Sequence, residues 1–190
     1  MKSAMKNVRK KVLVISSSAR AGGNSDTLAE RFAQGARDAG HDVEKIALRD
    51  RKINYCRGCG ACSATHRCVQ KDDMAELLDK LVAADVVALA TPVYFYTLNG
   101  QMKTFIDRTV PRYTEIRDKD FYFIMAAAED EEHTLDKTLA CFRGFLDCLD
   151  GARERGVIRG TGAWKPGDIE ARPDALRAAY EAGRKLKVGA

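Results

Sequence analysis

A chain of 190 residues, 45% hydrophobic and 31% charged, is long enough to bury one substantial core and too ordinary in composition for a disordered or fibrous protein. Its formal charge of +5 is modest, and the one basic cluster, KNVRKK, lacks interleaved aromatics, which argues against nucleic acid as a partner. No apolar run reaches the roughly 18 residues of a membrane span, and the apolar segment 12–15 is too short for a secretory leader, so the expectation is a cytoplasmic protein with a basic extension over 1–10 and no membrane partner.

Taken in chain order, KVLVIS (11–16) reads as a strand and 25–39 as a helix. HDVEKIAL (41–48) alternates, as a strand at a sheet edge does. A long loop over 49–71 precedes the helical pattern DDMAELLDKLVAA (72–84), and DVVALAT (85–91) is a strand buried on both faces. LNGQMKTFIDRTV (98–110) carries helical spacing at Met102, Phe105, Ile106 and Val110. KDFYFIMAAA (119–128) is a fourth strand, HTLDKTLACFRGFLDCLD (133–150) an amphipathic helix and RGVIRGTG (155–162) a fifth strand. RPDALRAAYEAGRKLKV (172–188) closes the chain as a helix, with Pro173 near its N-terminal turn. Strands alternating with helices predict one α/β domain over 1–190, a parallel sheet covered on both faces. Five strands suit the flavodoxin-like order 2-1-3-4-5, with ligands beyond the strands' carboxyl ends at the switch point between strands 1 and 3.

The turn after strand 1, SSSARAGGNSDTL, has the chemistry a phosphate monoester needs. A helix N-terminus offers free amides and the positive end of the dipole. Ser16, Ser17, Ser18, Ser25 and Thr27 add hydroxyls, Gly22 and Gly23 allow a close backbone, and Arg20 adds charge. Asn24 can cap the helix or donate its amide. No nucleotide-triphosphate loop and no G-x-G-x-x-G is present. Asp107, Arg108 and the acids of EDEEH read as helix-surface charges.

VLVISSSARAGGNSDTL resembles the phosphate loop of the NADPH-dependent FMN reductases, with Ser18, Arg20, Asn24 and Ser25 on the family pattern and Ser17 and Ala19 departing from it. TPVYFYTLNGQMKTFIDR (91–108) is similar to the family's second flavin loop, and AAAEDEE falls where the family places small residues against the flavin. GVIRGTGAWKPGDI is similar to the tail of related proteins. The resemblance implies FMN bound by Ser16, Ser18, Arg20, Asn24, Ser25, Asp26 and Thr27, by Pro92, Val93, Tyr94 and Phe95, and by Ala127 and Ala128. It also implies NAD(P)H as co-substrate, a small-molecule electron acceptor or redox protein as partner, and a homodimer or homotetramer with a contact near Trp164.

YCRGCGACSATHRCVQKDDM places Cys56, Cys59, Cys62 and Cys68 within 13 residues, in a C-x2-C-x2-C-x5-C spacing. Crowded cysteines without a secretion signal point to metal or redox chemistry rather than a disulfide framework. Three close thiolates plus a fourth match a [4Fe-4S] cluster in number, although a bacterial ferredoxin run has three residues before its fourth cysteine. The spacing resembles that of the iron–sulfur flavoproteins. Redox-active thiols and zinc, with His66 as a conceivable ligand, stay open beside the cluster. Cys141 and Cys148, seven apart on a helix, read as core or surface-stripe residues.

Overall fold

The computed structural model describes residues 9–186, so residues 1–8 of the expected basic extension lie outside the described residues. Its strands are β1 (Lys11–Ser16), β2 (Asp42–Ala47), β3 (Val86–Tyr94), β4 (Thr97–Leu98), β5 (Asp120–Ala126) and β6 (Arg153–Gly160). Five of them pair in parallel in the order β2-β1-β3-β5-β6, which is the expected 2-1-3-4-5. The alternating strand β2 takes the edge, as its pattern requires. β4 is an addition: two residues that fold back antiparallel on the tip of β3, too short to leave a periodic signal. β3 itself runs three residues past its expected end, so Pro92 lies inside the strand, opposite Ala126, rather than in a turn.

The helices among the described residues are α1 (Asn24–Asp38), α2 (Cys62–Thr65), α3 (Met74–Ala83), α4 (Gly100–Asp107), α5 (Asp136–Leu146) and α6 (Pro173–Arg184). Strand side chains alternate between faces, and the two sets build separate cores. Val12 and Val14 of β1 join Leu28, Phe32 and Ala36 of α1 and Ala179 of α6. Leu13 and Ile15 join Leu77, Phe105 and Phe142 from α3, α4 and α5. On that second face Phe123 of β5 stacks on Phe142 with ring centroids 4.5 Å apart. The sheet is thus the middle of three layers, and its C-terminal strand ends gather the loops that follow β1, β3, β5 and β6.

α5 is shorter than the pattern over 133–150, because residues 132–135 tighten into a 3-10 turn and the chain turns again after Leu146. The closing helix ends at Arg184.

Candidate functional site

The loops beyond the sheet surround a cleft of about 460 Å³. Ser18, Arg20, Asn24 and Ser25 line it from the first loop, Pro92, Val93, Tyr94 and Phe95 from the tip of β3, and Ala128 from the loop after β5. Gly23, Tyr96, Ala126, Glu129, Ala163 and Trp164 complete it.

Ser16, Asp26, Thr27 and Ala127 do not line the cleft. Ser16 is the fully buried last residue of β1. Ala127 is buried, its amide bonded to the Gly160 carbonyl and its carbonyl to the Ala163 amide, which fixes the loop after β6. Thr27 donates its hydroxyl to the Gly22 carbonyl. Asp26 lies beneath the first loop, where its carboxylate accepts from the Gly22 amide at 3.2 Å and pairs with Lys45 at 2.9 Å and Arg49 at 3.2 Å. Burial opposes its charge, but Lys45 and the Gly22 amide outweigh that, so its pKa lies below the ordinary 3.8. Asp26 therefore braces the loop from behind.

The first turn of α1 presents unpartnered donors at the edge of the cleft. The first helical bond runs from the Thr27 amide to the Gly23 carbonyl, so the amides of residues 24–26 precede it and lack a partner within the helix. The Ser25 hydroxyl is buried against the cleft with no hydrogen-bond partner. Gly23 is required by close approach: a Cβ there would come within 2.5 Å of Ser18 Oγ and 3.2 Å of the Arg20 carbonyl. An orphaned buried hydroxyl, free amides and Arg20 in one corner fit a phosphate ester.

Asn24 has a different duty from the one its position suggests. Its Nδ2 donates to the Ala163 and Lys165 carbonyls at 2.9 and 3.0 Å, and its Oδ1 accepts from the Ile169 amide. The side chain ties the segment carrying Trp164 to the start of α1. Replacing Asn24 with alanine is expected to loosen residues 163–169 and raise their hydrogen exchange, whereas Arg20→Ala leaves them protected and weakens anion binding about ten-fold. Peptide-resolved exchange separates the two.

Sequence reasoning also passed over Asn99. It caps α4 by accepting from the Met102 amide at 3.1 Å and donates to the Ser17 carbonyl at 2.6 Å. Ser17 donates its hydroxyl and amide to Ala90 of β3. The loops after β1 and β3 are thereby locked together. The N-G-x-M stretch ahead of the helical spacing was the available signal.

At the tip of β3, Phe95 and Tyr96 form the two-residue connection to β4, both with left-handed backbone (φ +49° and +61°). Such conformations are costly for residues with a Cβ. The neighbouring α5 supports the turn through Lys137, whose ammonium lies 5.7 Å from the Tyr96 ring centroid, and through Cys141, 3.2 Å from the Thr97 hydroxyl. Phe95 is 99% exposed and Trp164 75%, giving the cleft an aromatic rim.

Cys56 and Cys59 are exposed, while Cys62 and Cys68 are half-buried. None of the chain's six cysteines is disulfide-bonded. The donor chemistry fits a thiophilic metal or cluster, although no three His, Cys, Asp or Glu side chains among the described residues already stand as a cage. Cys141 and Cys148 lie exposed on or just past α5. Arg108 corrects an expectation: far from being a surface charge, it is the largest fully buried side chain among the described residues.

The chain matches the model of the NADPH-dependent FMN reductase family over residues 10–146 and belongs to that family. An iron–sulfur flavoprotein of Archaeoglobus fulgidus is 44% identical over 101 residues, 53% of this chain and 46% of that protein. The chain thus matches about half the length of such relatives. A Bacillus subtilis protein named as an NAD(P)H-dependent FMN-containing oxidoreductase, YwqN, is 29% identical over 178 residues, 89% of this chain and 94% of that one. The structure of an NAD(P)H:quinone oxidoreductase from Methanothermobacter marburgensis superposes with a TM-score of 0.74 at 18% identity, covering 95% of this chain and all of that one, and so shares the fold.

Proposed function

We propose that the protein is an FMN-dependent NAD(P)H oxidoreductase that delivers electrons to a small-molecule acceptor or a redox protein. The observation that carries this reading is the anion corner at the start of α1, opening onto a cleft walled by Tyr94 and Phe95. Ser18, Ser25, Arg20 and the first amides of α1 would hold the phosphate. Pro92, Val93, Tyr94 and Phe95 would flank the ring, and the small side chains of Ala126 and Ala128 leave space for it. When bound, FMN would supply the redox chemistry between the nicotinamide nucleotide and the acceptor. The residues bind, orient and partly shield; Asp26 and Asn99 keep the loops in register from outside the cleft, and Asn24 does so from its wall. Association as a homodimer or homotetramer belongs to the same reading, supported by the exposed Phe95 and Trp164 beside the cleft. A reducing, cytoplasmic location is supported by six unpaired cysteines.

The test is direct. Protein purified without oxygen is expected to show flavin absorption, or to bind added FMN at micromolar concentration, and to oxidise NADPH or NADH in the presence of a quinone. Colourless protein that refuses FMN would overturn the reading. The four-thiol loop favours a second reading, an iron–sulfur flavoprotein acting as an electron carrier. Flavin together with about four irons per chain and no turnover of either nucleotide would select it.

A further inference from the structure

The cysteine loop leaves and re-enters the fold through a single closed neck. The Lys52 amide donates to Asp73 at 2.7 Å, and the Asp73 amide returns a bond to the Lys52 carbonyl. One step further in, the Asn54 amide and side chain donate to Asp72 at 3.0 and 3.2 Å, and the Met74 amide caps the other oxygen at 3.2 Å. Between them, residues 55–71 are mostly exposed, with Cys62, Cys68 and Gln70 half-buried.

Arg108, just past the end of α4, plugs this neck from below. Its Nη1 donates to the Asn54 carbonyl at 2.5 Å and to Asp72 Oδ2 at 2.7 Å; its Nη2 donates to Asp72 Oδ1 at 2.9 Å and to Cys68 Sγ at 3.5 Å. The two side chains of the ion pair are 2% and 0% exposed. One guanidinium therefore holds the residue that starts the loop, the residue that ends it and one of its four thiols. A planar fork with five donors can do this; a lysine ammonium, a single point of charge, cannot span the same four acceptor atoms. Arg108 and Cys68 also face a cavity of about 670 Å³ between α3 and the segment after α4, so that thiol is reachable from a side separate from the flavin cleft.

We propose that Arg108 is the positioning residue of the cysteine loop: it closes the neck and presents Cys68 in a fixed place, so that a thiophilic metal centre meets an ordered donor and has only Cys56, Cys59 and Cys62 left to arrange. A 17-residue loop carries a large ordering entropy. A neck closed by a buried ion pair removes part of that entropy before any metal arrives. The inference concerns the loop alone and stands apart from the flavin reading.

Hydrogen exchange of the full chain without added metal, followed by a cobalt(II) titration read by thiolate-to-metal charge-transfer absorption, tests it. In Arg108→Met, amides of 55–71 are expected to exchange on the order of ten-fold faster, while those of β1, β3 and β5 keep their wild-type rates. Half-saturation with cobalt should need on the order of ten-fold more metal. Arg108→Lys should fall between, because it restores the charge but not the fork. If Arg108→Met does not fold, Asp72→Asn, which keeps the side-chain volume and removes the pair, carries the same expectations. Unchanged exchange over 55–71 would overturn the proposal. So would an increase spread evenly through the sheet, which would make Arg108 an ordinary core residue, or an unchanged cobalt titration in a variant whose loop has opened.

Discussion

Gly183→Ala is expected to cost on the order of 3 kcal/mol of unfolding free energy and to weaken binding in the cleft with it. α1 and α6 meet through two glycines: a Cβ on Gly183 would come to 2.0 Å from the Phe32 carbonyl, and one on Gly35 to 2.0 Å from the Tyr180 carbonyl. Both obstacles are helix backbone, which cannot swing aside as a side-chain tip can, so the helices must separate. Separation exposes the layer made by Phe32, Ala36 and Ala179 and tilts α1, whose first turn lines the cleft. Denaturant unfolding reads the first effect and FMN titration the second. A melting midpoint within a degree or two of wild type would contradict the packing account, since 1 kcal/mol corresponds to roughly 2–4 °C for a domain near this size.

Asp26→Asn is expected to remove about 2 kcal/mol of stability at neutral pH and to lower FMN affinity without touching the cleft. The substitution keeps the volume but leaves Lys45 and Arg49 without their buried counter-charge and weakens the bond that holds Gly22. The figure is below that for breaking a fully buried pair, because Lys45 and Arg49 are 16% and 22% exposed. The pH dependence has a definite sign. Burial raises the Asp26 pKa, the Lys45 contact and the Gly22 amide lower it further than that, and the net is a native pKa below the unfolded one. Such a group stabilises the fold above the ordinary carboxylate pKa of about 4, and the contribution is lost as pH falls through the depressed native value. The difference in unfolding free energy between wild type and Asp26→Asn should thus be flat above about pH 5 and shrink in acid. A difference that grows in acid would refute the assignment.

The architecture was legible because its signals are local. Apolar runs such as KVLVI and FYFIM, each followed by a helical period, leave a parallel sheet with covered faces as the economical arrangement, and the loop sequences announce their chemistry through small, hydroxylated residues. What stayed hidden depends on partners far along the chain. Asn24 is at the expected position, yet its partners Ala163, Lys165 and Ile169 lie about 140 residues away, and nothing in G-N-S reveals them. Asp26 stands among the flavin contacts that the resemblance implies, although a carboxylate suits a phosphate poorly; its partners Lys45 and Arg49 come from β2 and the turn beyond. Arg108 was the one misreading with a local clue. It follows Phe105 by three residues and Met102 by six, on the apolar side of α4, where a charge demands a buried counter-charge. Asp72 supplies that charge from 36 residues upstream.

The hairpin at the tip of β3 carries a consequence of its own. Asn-Gly would satisfy a turn with two left-handed residues at little steric expense, yet the chain puts two aromatic residues there and braces them with Lys137 and Cys141. Heat resistance and an aromatic cleft mouth therefore pull this corner in opposite directions. Sequence choices that relieve its backbone would also strip the rings from the mouth of the cleft.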